Sequence, residues 1–360
     1  MRRVLMLFNR PRAERMAVAE QGRCPDELLY GLRTLKARGW QVEFSDDGFG
    51  DFFGGRALKL LDDLLSSRGR LVGFHIKQAW RLRRQIDQAD VVFATADSSG
   101  LPVLLLRALG LTQTPVVYAS IGLTTSFPHQ FGIRFSAYRA LLRQAAQVVA
   151  YSKTEVEALA CVFSVDRQRL RFIPFGVEAA FFTGQEADSG RPLAFGLDHR
   201  RDWSTLFSAA AGLEATIEVI ANPDMLRGLA PPRNVVLLPP ESVTELRRRL
   251  LAAPFVILPV KQNDYTGATI SLLQSMAAGR AVIVSQTKAL ESGYGLADGE
   301  NCLLVPPGDV PRLAQAMRML REDRQLADRL GRRAAEHVRQ SHDISHLVER
   351  IEETLCAALS

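Results

Sequence analysis

Residues 255–285, FVILPVKQNDYTGATISLLQSMAAGRAVIVS, constrain the fold more than any other part of the chain. Phe255–Leu258 is a short all-apolar run, and Ala281–Ser285 is another. Between them Ile270, Leu273, Met276 and Ala277 recur at helical spacing, and Gly279 follows as a natural stop. Strand, loop, helix, strand is one parallel crossover, the repeating unit of an α/β sheet. The loop from Lys261 to Thr269 leaves the carboxyl end of a strand and enters the amino end of a helix. Free backbone N–H groups and the helix dipole favour an anion there. Gly267 has no Cβ and lets the backbone approach a ligand closely. A phosphate cradle and an ordinary βα loop both fit this local pattern.

The chain has 360 residues, room for two α/β domains. Apolar content of 47% and charged content of 23% fit a globular protein, and no apolar run approaches the roughly 18 residues of a membrane span. The start, MRRVLMLFNRPR, has a basic end but a short apolar centre and no small-residue cleavage site. It reads as a first core strand rather than a signal peptide. Cys24, Cys161, Cys302 and Cys356 lie far apart with no CxxC spacing, so neither a disulfide framework nor a zinc site is expected, and a reducing cytoplasm is the default.

The net charge of +6 is unevenly spread. Residues 1–150 hold 21 Lys+Arg against 13 Asp+Glu, a balance of +8, which leaves −2 for the remainder. Solvated basic faces explain this, and so does a first domain that meets an anionic partner. Arg81, Arg83 and Arg84 cluster within 71–89. Aromatics are not interleaved with the basic residues, which argues against nucleic acid.

In the first half, 4–8 reads as a buried parallel strand, 9–25 as a loop, 26–38 as a helix ending at Gly39, and 42–44 as a second strand. Helices are expected over 56–66 and 71–87. A strand over 91–95 precedes the loop Ala96–Gly100, where Asp97 or Ser98 suits a cap for a helix over 101–109. The strand 115–119 leads into Ser120-Ile121-Gly122 and a polar loop carrying His129. A helix over 131–145 and a strand over 148–150 follow. Ser152 and Glu155, three apart, form a capping-box pattern. After a strand over 170–173, the polar segment Thr183–Pro192 reads as an interdomain linker.

The pattern then restarts. LAFG, 193–196, is a strand, followed by a helix over 203–211, strands over 215–221 and 234–238, and an amphipathic helix over 243–252. The crossover unit comes next, then a strand over 302–305 and three closing helices. Two successive α/β units imply two doubly wound parallel-sheet domains facing a central cleft, with ligands at the carboxyl ends of strands.

Several separated pieces, in order, resemble the retaining glycosyltransferases of the two-Rossmann-domain (GT-B) class, in particular the large family four. They are RFIPFGVEAAFF (171–182), LAFGLDHRRDWSTLFSAA (193–210), YTGATISLLQSMAAGRAVIVS (265–285) and DGENCLLVPPGDVPRLAQAMRML (298–320). The resemblance implies an acceptor-side domain over 1–175, onto which a C-terminal helix at about 343–360 packs back, and a donor-binding domain over 176–342. It implies transfer of a sugar from a nucleoside-diphosphate sugar with retention of configuration, without a cofactor and without a metal. The acceptor would be a carbohydrate, a lipid-linked molecule or a small molecule. A cytoplasmic protein is expected, with contact at the inner face of a membrane through the basic first domain.

Carried over by position, Arg201, Lys261 and Asp264 are the candidate catalytic groups, the two cations opposite the departing diphosphate. Gly196, Asn222, Leu238, Pro239, Thr266, Gly267, Ala268, Thr269 and Gln274 are the candidate donor-binding residues. Asn9, Asp97 and His129 face the acceptor. The chain departs from the family pattern at its two glutamates. Gln274 stands at the second; Thr266 stands at the spacing of the first, or Asp264 does if the loop is two residues longer. Leu197 replaces an arginine, and Ser120-Ile121 replaces a histidine for which His129 is a stand-in. Two alternatives follow: a degenerate, non-catalytic partner, and a nucleotide-sugar epimerase of the same two-lobed class.

Overall fold

The computed structural model describes residues 2–46, 75–126, 132–263 and 267–360. Two compact units divide the chain. The first comprises Met1–Gly22, Leu28–Ile173 and Leu347–Ser360; the second comprises Arg23–Glu27 and Pro174–His346. The change of unit falls between Ile173 and Pro174, so the polar segment Thr183–Pro192, expected as a linker, lies wholly inside the second unit. Ser189 pins it there, its N–H donating to the Ala252 carbonyl at 2.8 Å.

The first unit is built on a six-stranded parallel sheet of β1 (Arg3–Leu7), β2 (Gln41–Glu43), β3 (Val91–Ala94), β4 (Val116–Ser120), β5 (Gln147–Ala150) and β6 (Leu170–Phe172), in the order β2-β1-β3-β4-β5-β6. β3, β4 and β5 are buried at every position, as strands covered on both faces must be. The helix Asp97–Ala108 carries Pro102, which cannot donate to the Ser98 carbonyl one turn back. The N–H of His75 fills that vacancy at 3.0 Å. Gly100 lets this helix lie against β4, since a Cβ there would sit 3.1 Å from Ala94 Cβ and closer to the Tyr118 ring. The C-terminal segment of the unit is held by Glu352, which accepts from Trp40 Nε1 at 3.0 Å and Arg38 Nε at 2.6 Å.

Four expectations are corrected in the first half of the chain. The loop 9–25 contains a helix, Ala13–Glu20. The expected helix over 26–38 is broken: a 3-10 turn, Asp26–Leu29, is followed by Tyr30 and Gly31 at φ +57° and +76°, and only Leu32–Ala37 is α-helical. Within the described part of the helix expected over 71–87 there are two short helices, Ile76–Arg81 and Arg83–Gln88. Asp97 is the first residue of its helix rather than its cap; the cap is Ala96, which has no side chain to offer. The helix expected over 56–66 lies outside the described residues.

The second unit has its own six-stranded parallel sheet: β7 (Leu193–Gly196), β8 (Ile217–Ala221), β9 (Val235–Leu238), β10 (Phe255–Leu258), β11 (Ala281–Ser285) and β12 (Leu303–Val305), in the order β12-β11-β10-β7-β8-β9. Counted from its own first strand this is 6-5-4-1-2-3, the doubly wound order whose direction of winding reverses between β7 and β10. Helices Trp203–Ala210 and Val310–Glu322 contribute Trp203, Leu206, Phe207, Leu313 and Met317 to a core with Val219, Phe255, Ile257 and Ile283. The helix Arg324–Ser341 approaches the turn after Thr269–Ala277 at Gly331. A Cβ there would be 2.9 Å from Gly279 C and closer still to its carbonyl oxygen.

Candidate functional site

In an open doubly wound sheet the loops on either side of the reversal leave in opposite directions and open a crevice at the carboxyl ends of the strands. In the second unit these are the loop 197–202 after β7 and the loop 259–268 after β10. The two zip together. Arg201 forms an antiparallel bridge with Val260, the Lys261 N–H donates to the Arg200 carbonyl at 2.8 Å, and the Asp202 N–H donates to the Pro259 carbonyl at 3.0 Å. Arg200 Cβ and Asn263 Nδ2 both lie 3.5 Å from where a Cβ on Gly267 would be, so Arg201 and Gly267 belong to one constellation.

Arg201 organises it. Its side chain folds back over Gly196, the last residue of β7; a Cβ on Gly196 would lie 2.5 Å from Arg201 Cζ and 2.7 Å from Nη2, with Nε closer still. Nε pairs with Asp198 Oδ2 at 3.0 Å, and Nη2 donates to Ser271 Oγ at 2.9 Å in the first turn of the helix Thr269–Ala277. The guanidinium, 4% exposed, is thus a buried strut between the loop after β7 and the helix Thr269–Ala277. Lys261 is the exposed basic residue of the second loop. Beside it Asn263 is buried. Its Nδ2 donates to the Lys261 carbonyl at 2.8 Å, while Oδ1 has no hydrogen-bond partner among the described residues.

The amino end of the helix Thr269–Ala277 differs from others in the same unit. Helices beginning after Asp202, Ser242, Asp309 and Asp323 are each capped by that side chain. Here the cap residue is Ala268, held at φ +69° with no side-chain cap. A non-glycine residue in the left-handed region costs about 1–2 kcal/mol. The turn Gly267-Ala268-Thr269 therefore opens the helix on main-chain groups, with no side chain from the cap position.

Gln274 is buried on the same helix. Its Nε2 donates to Glu27 Oε1 at 3.0 Å, and Glu27 Oε2 accepts from the Glu178 N–H at 3.0 Å. Glu178 in turn accepts from the Asp26 N–H at 2.8 Å. Burial pushes the Glu27 carboxyl up to about 7 against the hydrogen bonds that favour its ionised form. No local motif announces Glu27, since it is 247 residues from Gln274 in sequence. Asn222 ends β8 but uses Oδ1 to cap Asp224 N at 3.1 Å. Leu238 ends β9 and is half-buried, and Pro239 follows it, exposed. Asp264 and Thr266 lie outside the described residues. A cavity of about 340 Å³ opens at the other end of this sheet, at the amino ends of β7, β10 and β11, among Asp188, Arg280, Arg324 and Asp328. Its charges are partly matched within the cavity, Arg324 with Asp188 at 2.7 Å.

In the first unit Asn9 is exposed after β1 and His129 lies outside the described residues. Asp97 is turned inward. Its Oδ1 accepts from Tyr118 Oη and, at 3.2 Å, from the Ile121 N–H. Burial raises it to about 6. Next to it Glu155 departs from the capping-box expectation. Ser152 Oγ does accept from the Glu155 N–H at 3.0 Å, but the Glu155 carboxylate accepts from Ser120 Oγ at 2.7 Å and the Gly122 N–H at 2.8 Å. Burial, with Asp97 nearby, lifts it to about 8. The two carboxyls hold the loop after β4, and neither is presented outward as an acceptor-side group.

Two family models match the chain: a glycosyl transferase 4-like domain over residues 29–176 and glycosyl transferases group 1 over residues 213–323. Together they take in most of the chain and fall one on each sheet. The chain belongs to the glycosyltransferases with two Rossmann-like domains. No curated protein matches it. Among solved structures it is similar to sucrose-phosphate synthase from Thermosynechococcus elongatus, with a TM-score of 0.71 and 16% identity over 98% of each chain. It is also similar to HepE of Anabaena, solved with UDP and glucose, with a TM-score of 0.72 and 15% identity over 99% of this chain and 100% of that one. A glycosyltransferase from Rickettsia africae gives 0.67 and 14%, over 100% and 99%. At these identities the likeness is one of fold.

Proposed function

We propose that the chain transfers a sugar from a nucleoside-diphosphate sugar, with retention of anomeric configuration, to an acceptor held by the first unit. The observation that carries this reading is the meeting of the Arg201 loop and the loop after β10 at the start of the helix Thr269–Ala277, where β7 and β10 diverge. Family membership supports the transferase class, and the UDP bound to HepE supports the donor type.

The chemical task is to stabilise a diphosphate as negative charge develops on it. The positive end of the helix Thr269–Ala277 faces that charge, and Lys261 supplies an exposed cation. Arg201 acts from beneath, fixing Ser271 and both loops. In this reading fixed positive groups do the work of a divalent metal. Gln274 meets a ribose hydroxyl, and Asn222, Leu238 and Pro239 line the nucleoside pocket. Asp264 and Thr266 meet sugar hydroxyls.

Titration of UDP and other nucleoside diphosphates by calorimetry tests the pocket. Arg201→Ala should weaken binding roughly 10- to 100-fold; unchanged affinity would remove Arg201 from the site. A panel of nucleotide sugars assayed for donor hydrolysis tests turnover. A second reading, a degenerate partner without activity, is favoured by Gln274, whose amide is engaged by Glu27. Tight nucleotide binding with no hydrolysis or transfer across the panel would select it. The epimerase reading loses support because Asp97 and Glu155 are committed inward.

Contact with an anionic membrane rests on the helices Ile76–Arg81 and Arg83–Gln88. Arg81 and Arg84 are exposed there, with Trp80 36% exposed and the Arg83 guanidinium 4.9 Å from its ring. A cationic face bearing an exposed tryptophan suits the headgroup layer. Failure to sediment with phosphatidylglycerol vesicles at low salt would exclude this contact.

A further inference from the structure

The winding of the first sheet reverses between β1 and β3, so its own ligand position lies at the carboxyl ends of those two strands. After β3 three polar side chains are engaged within the unit. Thr95 Oγ1 and Ser99 Oγ both donate to the Leu7 carbonyl, at 3.0 and 3.2 Å, and Asp97 is bound to Tyr118. After β1 the chain reads Asn9-Arg10-Pro11-Arg12, with Arg15 one turn further on. Arg10 and Arg15 are exposed. Arg12 is 9% exposed, yet its guanidinium forms no ion pair or hydrogen bond among the described residues, and its buried Nε has no acceptor.

The nearby acids do not fill that role. Asp46 spends its oxygens on main-chain amides, accepting from the Arg12 N–H at 2.8 and 2.9 Å and from the Ala13 N–H at 2.7 Å. Glu14 is exposed on the helix. Asp46 thereby fixes the backbone at the start of the helix Ala13–Glu20, and the Arg12 fork lies over the Phe8 ring, 5.2 Å from its centre. Burial, foremost, and the like charges of Arg15 and Arg10 oppose the protonated Arg12, Tyr30 and Asp46 offset part of this, and a guanidinium stays protonated regardless. A planar, desolvated, rigidly backed cation with an unused N–H is suited to a planar or tetrahedral oxyanion, and such a ligand would relieve both costs.

We infer that Arg12, flanked by Arg10 and Arg15, binds an oxyanion group of the acceptor, a phosphate or a carboxylate, at the carboxyl end of β1. This rests on the reading that the first unit holds the acceptor. It narrows the acceptor from any carbohydrate or small molecule to one carrying a negative charge.

The test titrates inorganic phosphate, glucose 6-phosphate, glucuronate and, as the neutral control, glucose into the full chain at constant ionic strength, with and without saturating UDP. At least one of the three anions should bind and glucose should not, with a dissociation constant unchanged by UDP. The identity of the anion distinguishes a phosphorylated acceptor from a uronate-type one. Arg12→Gln should weaken that binding at least about tenfold, the loss of one charge-assisted contact, with Arg12→Lys intermediate. If Arg12→Gln unfolds on heating well below the parent, Arg12→Lys carries the test. Anion binding as tight in both variants as in the parent, displacement of the anion by UDP, or no binding of any of the three anions would overturn the proposal. Absence of UDP binding would instead overturn the donor reading and leave the anion result to be judged alone.

Discussion

Gly196→Ala tests the strut at the heart of the second unit. The added methyl would sit 2.5 Å from Arg201 Cζ and 2.7 Å from Nη2, where carbon–carbon and carbon–nitrogen contacts normally need about 3.5–4 Å. An overlap of about 1 Å cannot be absorbed by a small tilt, because the guanidinium is held at both ends by Asp198 and Ser271. The side chain has to leave, or β7 has to shift. Losing the charged contacts costs about 1.5–3 kcal/mol, and a displaced buried guanidinium adds to that, so a total of about 2–4 kcal/mol is expected. The assay is urea unfolding of parent, Gly196→Ala, Arg201→Ala and the double variant, with nucleoside-diphosphate titration in parallel. In the double variant the methyl occupies space that Arg201 vacated, so adding it to Arg201→Ala should cost no more than about 0.5–1 kcal/mol, the ordinary range for a compatible Gly-to-Ala exchange. Additive costs, or a Gly196→Ala protein as stable as the parent, would refute the reasoning.

Three further outcomes follow from buried groups. Glu155, lifted to about 8, binds a proton in the folded state that the unfolded chain has released above the ordinary carboxylate value of 4.5. The stability this group contributes is therefore fully present below about 4.5 and is lost as pH rises toward 8. Glu155→Gln should remove up to about 1.4 kcal/mol per pH unit of that slope between about pH 5 and 8, read from denaturation midpoints; an unchanged slope would mean another group titrates. Glu27→Gln should destabilise by about 1–3 kcal/mol at pH 8, because both Glu27 oxygens accept, from Gln274 and from the Glu178 N–H, and one would then face a donor; a neutral effect would show that the pair is not formed. Gly331→Ala should lower stability by about 1–3 kcal/mol, since its methyl would meet the Gly279 carbonyl, and a thermal melt indistinguishable from the parent would contradict that close helix approach.

Much of the second unit was legible in the chain. FVIL and AVIVS fall on β10 and β11, LAFG on β7, and the helix over 243–252 has its expected limits, because strands buried on both faces and a capped amphipathic helix leave local signatures. The first unit was less legible near residues 9–38. Tyr30 and Gly31 break the helix by adopting left-handed backbone, and nothing in the residue pattern requires a tyrosine to do so.

At the site, the chain marked Gly196, Arg201 and the 261–269 loop as belonging together, but not how they meet. That Arg201 is a buried strut, that Asp97 and Glu155 point into the first unit, and that Glu27 reaches Gln274 are set by contacts between residues far apart in the chain. Apolar periodicity is a property of neighbours, so the order of residues alone determined two parallel-sheet units and where their loops emerge. Charge pairing is a property of distance in space, and only the packed sheets decided which carboxyls are spent inside the protein and that the Arg12 Nε is buried without an acceptor.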